Sequence, residues 1–213
     1  MKNNLTELVF ILDASGSMFS LTADTIGGFN SMIRKQRDEE GTAYVTTVTF
    51  DDRSKIVHDR IALEKIAEMT EKEYSAGGST ALLDAMGDAI KHIEKIHKYI
   101  RKEDVPEKTL FVITTDGMEN ASHKYSSDDV KKMVEAKKEE GWDFIFMGAN
   151  IDAVETAAKY GIAEDRAVEY LSDKAGTAMN FCVMNEVVGK VRRRESVGKA
   201  WKDSIEQDVK KRK

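Results

Sequence analysis

A short apolar run that ends in oxygen-bearing side chains constrains the fold of this chain more than any other feature. The apolar residues 8–12 are followed at once by the motif Asp13-Ala-Ser-Gly-Ser17. Such a run is consistent with a strand buried in the core of a parallel sheet. One carboxylate and two hydroxyls at its end suit a hard cation, but Mg²⁺ takes about six oxygen ligands. The sequence therefore predicts that other loops supply the remaining ligands.

Two later segments combine glycine, hydroxyl and carboxylate groups in a similar way. Gly77-Gly-Ser-Thr80 leads into an amphipathic helix, and Thr114-Thr-Asp116-Gly follows a second apolar run. With the first motif, and over about residues 5–190, they resemble the metal-ion-dependent adhesion site of the von Willebrand factor A (vWA) family, in a standalone, bacterial-type member. Ser79 also follows the glycines, but Thr80 directly precedes the helix and is preferred. The resemblance implies five metal-site residues: Asp13, Ser15, Ser17, Thr80 and Asp116.

Strand and helix signals alternate along the chain. Residues 81–101 carry the clearest helical stripe, whereas residues 44–50 and 54–61 are β-rich and predict an antiparallel hairpin. The pattern predicts an α/β fold with a doubly wound, mostly parallel sheet, one antiparallel edge strand and helices on both faces. Ligands of such sheets bind at the carboxyl ends of the strands, where Asp13 and Asp116 both fall.

Length and charge suggest one domain with a basic end. A chain of 213 residues, 41% of them apolar, can bury a sizeable core. Residues 190–213 carry ten Lys and Arg against four Asp and Glu, which leaves a net charge of −11 on the rest. We predict a domain over residues 1–194 and a basic tail over residues 195–213. An acidic body disfavours nucleic-acid binding, which requires phosphates to be neutralised by Lys and Arg.

Cysteine usage and hydropathy bear on the cellular compartment. The single cysteine, Cys182, cannot form an internal disulfide, and its place in the apolar pattern of the last helix predicts a buried thiol. No apolar stretch approaches the 18 or so residues that a membrane-spanning helix needs. We therefore expect no membrane insertion and a cytoplasmic location.

The resemblance implies a metal-dependent protein-binding role, as an adhesion or scaffold module without catalytic residues. Serine and threonine hydroxyls are neutral, so a divalent cation held largely by them keeps positive charge and seeks an anion. In the family this anion is an Asp or Glu carboxylate of a partner protein. We expect Mg²⁺, or else Mn²⁺ or Ca²⁺. Candidate partner contacts on the rim of the site are Phe19, Ser79, Glu119, Asn120 and Asn150.

Two other functions stay open. The P-loop, dinucleotide-binding and serine-nucleophile motifs are all incomplete in this chain. A metal-dependent hydrolase would still need only a general base near the metal, for which Glu119 and His123 are the candidates. A metal-independent scaffold that binds an acidic partner through residues 195–213 is the other alternative.

Overall fold

The computed structural model describes residues 4–213, in which six strands and six α-helices largely alternate along the chain. The strands are β1 (Leu5–Asp13), β2 (Thr42–Phe50), β3 (Ser54–Ala62), β4 (Lys108–Thr115), β5 (Trp142–Ala149) and β6 (Ala167–Tyr170). The helices are α1 (Thr22–Arg37), α2 (Leu82–Tyr99), α3 (Ser127–Glu139), α4 (Ala153–Lys159), α5 (Lys174–Arg192) and α6 (Asp203–Arg212). A short 3₁₀-helix, Gly16–Leu21, connects β1 to α1.

The six strands form one sheet in the order β3-β2-β1-β4-β5-β6. Neighbouring strands are parallel except for β2 and β3, which pair antiparallel at one edge. The predicted doubly wound, mostly parallel sheet with one antiparallel edge strand is therefore confirmed. The chain first winds to one side of β1 and, from β4 onwards, to the other. This reversal lies between the carboxyl ends of β1 and β4, where open sheets of this kind bind ligands.

The central strand β1 contributes to a core on each face of the sheet, because successive strand residues point to opposite sides. Leu8, Phe10 and Leu12 belong to the core that also contains residues of α1, α5 and α6. Val9 and Ile11 belong to the core formed with α2, α3 and α4. Helices thus cover both faces, and the carboxyl edge of the sheet is left to the loops.

Helix α2 connects the core to the loop that precedes it. Its predicted apolar stripe is buried, as shown by Leu83, Met86, Ile90 and Ile93. Burial of these side chains supplies most of the stability of such a helix. Because α2 begins two residues after Thr80, its packing also fixes the position of the Gly77–Thr80 loop.

Residues 195–213, predicted as a basic tail, are folded onto the domain. Trp201 and Ile205 are 5% and 2% exposed and belong to the same core as α1 and α5. The guanidinium of Arg212 pairs with Asp173, with Nη1 and Oδ2 2.7 Å apart. Two apolar side chains one helical turn apart thus anchor this segment, and the division of the chain at residue 194 stays a prediction.

Two further observations concern the thiol and the membrane. Cys182 is exposed on α5, not buried as predicted, because α5 directs the neighbouring side chains of Phe181 and Val183 into the core. Among residues 4–213, no helix is long and apolar enough to cross a bilayer.

Candidate metal centre

Asp13 joins the ends of the two central strands. It is the last residue of β1 and is 2% exposed. Its Oδ1 accepts a hydrogen bond from the backbone N–H of Ser15 at 2.7 Å. Its Oδ2 accepts from the hydroxyl of Thr115 at 2.6 Å and from the backbone N–H of Asp116 at 3.3 Å. These contacts fix the carboxylate and bring the first and third sequence motifs together.

Three side chains from these two motifs form a cluster of oxygen atoms. The Oγ atoms of Ser15 and Ser17 are 3.1 Å apart, and Ser17 Oγ donates to Asp116 Oδ1 at 2.6 Å. Two ligands at right angles around an octahedral Mg²⁺ ion would be about 3.0 Å apart, given bonds of about 2.1 Å. The spacing and the all-oxygen chemistry of this cluster therefore fit a hard divalent cation.

The second motif is tied to the first through the backbone. Gly16 N–H donates to the carbonyl of Gly78 at 3.0 Å, and Gly77 N–H donates to that of Ala14 at 2.8 Å. Gly78 has a φ of +69°, which a residue with a Cβ rarely adopts, so glycine allows this loop to approach so closely. The loop places Ser79 outward and buries Thr80, which is 4% exposed.

Thr80 also meets the third motif. Its backbone N–H donates to Asn120 Oδ1 at 2.9 Å, and its carbonyl accepts from the backbone N–H of Asn120 at 3.1 Å. A Cβ built on Gly117 would lie 3.9 Å from Thr80 Oγ1, so the Thr80 hydroxyl lies beside the residue that follows Asp116. All three motifs thus meet at the reversal point of the sheet.

The surroundings of Asp13 disfavour its ionised form. Burial raises the pKa of Asp13, the hydrogen bonds from Ser15 and Thr115 oppose this rise, and the nearby charge of Asp116 adds to it. Burial and the charges of both carboxylates also raise the pKa of Tyr170 well above its ordinary value. Negative charge therefore accumulates in a poorly solvated position, where a bound divalent cation would be stabilising.

Two residues around Asp116 were not singled out from the sequence. Ser172 Oγ donates to Asp116 Oδ2 at 3.2 Å, and Thr115 holds Asp13 as described. Asn150, a predicted rim residue, donates from Nδ2 to the backbone carbonyl of Asp116 at 3.0 Å. The signal for Thr115 was its place beside Asp116, whereas Ser172 follows β6 and carries no motif of its own.

The predicted rim residues differ in what they contact. Phe19 is 76% exposed and Ser79 is also exposed. Asn120 and Asn150 bind backbone groups of the second and third motifs, as described above. Glu119 Oε2 accepts from the N–H of Leu83 at 2.9 Å and from the hydroxyl of Ser122 at 2.8 Å, and its Oε1 accepts two more N–H groups. A role for any of them in partner contact stays a prediction.

The two candidate general bases, Glu119 and His123, differ in their surroundings. Both carboxylate oxygens of Glu119 are occupied by the loop and by the start of α2. The side chain of His123 is exposed, and its backbone N–H donates to Asp84 Oδ2 at 2.9 Å. Within residues 4–213, no group of three or more His, Cys, Asp or Glu side chains could hold a metal.

Comparison with known proteins gives a family match and similar folds. The family model described as "VWA domain containing CoxE-like protein" matches residues 2–142. Comparison with curated protein sequences finds no match. Among solved structures, the vWF domain of the type V pili tip protein Mfa5 from Porphyromonas gingivalis superposes with a TM-score of 0.65 at 10% identity, covering 90% of this chain and 97% of that one.

Two further structures are similar over part of their length. Proximal thread matrix protein 1 from the mussel byssus, with a zinc-occupied MIDAS motif, has a TM-score of 0.58 at 15% identity, covering 86% of this chain and 46% of that one. The von Willebrand factor type A structure from Catenulispora acidiphila has a TM-score of 0.55 at 15% identity, covering 87% and 42%. The chain thus spans less than half the length of these two proteins. At such identities the likeness concerns the fold alone.

Proposed function

Because this chain belongs to the family of VWA domain containing CoxE-like proteins, we propose that it is a metal-dependent protein-binding module and not an enzyme. The observation that carries the proposal is the cluster of Ser15, Ser17 and Asp116 oxygens at the reversal point of the sheet. The zinc-occupied MIDAS motif of the similar mussel protein supports a divalent cation in this fold.

We propose Mg²⁺ as the cation, with Mn²⁺ or Ca²⁺ as substitutes, because every candidate ligand is an oxygen. Bound here, it would supply a positive charge and a coordination position open to an outside carboxylate. The hydroxyls of Ser15 and Ser17 would be ligands, with Thr80 on the third side. Asp13 and Asp116 would balance the charge and orient the hydroxyls through the contacts described above.

The partner proposed is a protein that presents an Asp or Glu side chain. An outside carboxylate has the charge and the hard oxygen atoms that such a cation prefers. The hydrolase alternative has no comparable support, because Glu119 is fully engaged by backbone and hydroxyl donors. The tail-led scaffold is also less favoured, since Arg212 at the end of residues 195–213 is already paired with Asp173.

Calorimetric titration of Mg²⁺ and Mn²⁺ into chelator-treated protein tests the proposal directly. We expect saturable binding by the wild type that is lost in Asp13→Ala and Asp116→Ala. Asp128→Ala is the matched control, because Asp128 is an exposed carboxylate in the first turn of α3. Absence of binding by a folded wild type, or equal loss in Asp128→Ala, would contradict the proposal.

A further inference from the structure

The most exposed large apolar side chains are concentrated at the metal loops. In the described part of the chain, the three highest exposures are those of Phe19 at 76%, Tyr99 at 75% and Met118 at 71%. Phe19 lies two residues after Ser17, and Met118 lies two residues after Asp116. Single exposed apolar residues are common on protein surfaces. Here, however, two of the three flank the same cluster of metal-binding oxygens.

Phe19 is held outward by a well-anchored turn. It lies in the 3₁₀-helix Gly16–Leu21, whose other apolar residues, Met18 and Leu21, are each only 5% exposed. The burial of these two side chains anchors the turn, and Phe19 lies on its exposed side. Phe19 also borders a cavity of about 350 Å³, whose lining is partly polar and includes Ser20, Thr22, Glu71 and Ser75 beside Ala23, Tyr74 and Ala76.

Met118 is held outward from the third metal loop. On one side Asp116 is 3% exposed and is bound by Ser17 and Ser172. On the other side the Glu119 carboxylate accepts from the N–H of Leu83 at the start of α2 and from the loop that follows. Gly117 and Met118 lie between these anchored positions, and the Met118 side chain is directed into solvent.

We infer that Phe19 and Met118 flank the carboxylate-binding position and select a protein segment in which an acidic residue has apolar neighbours on both sides. The inference rests on the proposed function, because the cation would take the acidic side chain. The charge of that side chain complements the cation, and its apolar neighbours would cover the two exposed side chains. Burying apolar area beside a metal contact adds affinity without a further charge.

Tyr99 provides a matched control. It is as exposed as Phe19, but it ends α2, whose first turn lies beside the metal loops. An 18-residue helix is about 27 Å long, so Tyr99 lies far outside the reach of a short peptide bound at the metal. Its replacement tests whether loss of any exposed large side chain has the same effect.

Three fluorescein-labelled peptides serve as probes: Gly-Leu-Glu-Leu-Gly, Gly-Ser-Glu-Ser-Gly and Gly-Leu-Gln-Leu-Gly. Their binding to the full chain is measured by fluorescence anisotropy in saturating Mn²⁺ and again in chelator. We expect the leucine-flanked glutamate peptide to bind at least about 10-fold more tightly than the serine-flanked one. The double variant Phe19→Ser, Met118→Ser should reduce this ratio to near one, mainly by weakening binding of the leucine-flanked peptide. Tyr99→Ser should keep the wild-type ratio.

The outcomes separate the inference from the proposed function. Equal affinity of the wild type for both glutamate peptides, or an unchanged ratio in the double variant, would overturn the inference alone. Equal binding of the glutamine peptide would show that the apolar residues act without the carboxylate and would also overturn it. If neither glutamate peptide binds in saturating Mn²⁺, the proposed function fails and the inference fails with it.

Discussion

Carboxylates are buried near both ends of the strands, and the groups that contact them differ between the two ends. Toward the amino ends of the strands, Glu7 is 0% exposed, its Oε2 accepts from Arg60 Nε at 2.8 Å, and His97 Nε2 lies 3.4 Å away. At the carboxyl edge, Asp13 and Asp116 are 2% and 3% exposed. The partners that the described residues supply to them are hydroxyl and backbone N–H groups.

The chain itself supplies a cation to Glu7, and it does so at a strained residue. Arg60 has a φ of +50°, a conformation unfavourable for a residue with a side chain, at an irregular position of β3. The fold accepts this strain where Arg60 reaches Glu7. No comparable cation is built against Asp13 or Asp116 within residues 4–213. At the carboxyl ends of the strands, the proposed divalent cation would supply the balancing charge.

The largest expected effect comes from removing Arg60, whose guanidinium pairs with the buried Glu7. Arg60→Met leaves Glu7 buried without its guanidinium and should lower the free energy of unfolding by about 3–5 kcal/mol, measured by urea denaturation. The double variant Glu7→Leu, Arg60→Met should recover most of this loss, because it removes both charges. A loss below about 1 kcal/mol in the single variant would contradict the view that Arg60 balances the charge of the buried Glu7.

The carboxyl edge should respond in the opposite way. Asp116→Asn removes one of two nearby carboxylates, so the metal-free variant should be at least as stable as the metal-free wild type. Mg²⁺ at about 100 times its Kd should stabilise the wild type by about 2.7 kcal/mol and the variant not at all. Urea denaturation in Mg²⁺ and in chelator measures both. A strongly destabilised metal-free variant would show that Asp116 is already balanced without a metal.

Asp84 is a third carboxylate for comparison, and its oxygen atoms accept hydrogen bonds from backbone N–H groups. Asp84 accepts from the N–H groups of His123, Lys124 and Tyr125 at 2.9, 2.8 and 3.1 Å. Although burial opposes the shift, these bonds lower the pKa of Asp84. Its contribution to stability is therefore full above the unfolded pKa of 3.8 and is lost as pH falls through the lower folded value.

The corresponding variant is Asp84→Asn. It should lose about 2 kcal/mol of unfolding free energy at pH 7, because neutral acceptors form weaker hydrogen bonds and one oxygen is replaced by a donor. Denaturation at pH 7 and at pH 3 checks this, with the difference between variant and wild type expected to shrink at the lower pH. An equal difference at both pH values would rule out a charge-dependent role.

The smallest expected effect concerns orientation at the metal. Ser172→Ala removes the hydroxyl that donates to Asp116 Oδ2 and should weaken Mg²⁺ binding by about 10-fold. Calorimetry measures this change, and the stability of the metal-free protein should be nearly unaltered. Ser122→Ala is a matched control, since its hydroxyl donates to Glu119 and not to Asp116. Equal weakening in both variants would point to a general loosening of the loops.

Features carried by neighbouring residues could be predicted from the sequence. The apolar runs that precede Asp13 and the Thr114–Asp116 segment indicate buried parallel strands, and the polar turn between residues 50 and 54 indicates the hairpin. The resemblance supplied the site residues, and the order of the strands explains why they meet. Each of these signals is local, so a single sequence contains it.

Features that depend on distant pairs could not be predicted. Glu7 and Arg60 are 53 positions apart and meet through an irregularity in β3 that no motif marks. Ser172 reaches Asp116 because β6 ends on the same edge of the sheet, which only the strand order reveals. For residues 195–213, the prediction of a tail rested on the number of basic residues. The segment packs on the domain because Trp201 and Ile205 are buried, and the prediction did not consider these two side chains.

Helix α2 is held at both ends by these two charged regions. Its first turn follows Thr80 and receives Glu119, and near its other end His97 lies against Glu7. Between them the buried stripe fixes the helix along about 27 Å. A change in the loop before α2 would thus be resisted by the packing of the whole helix against the sheet. The two charged regions are therefore connected through one packed element.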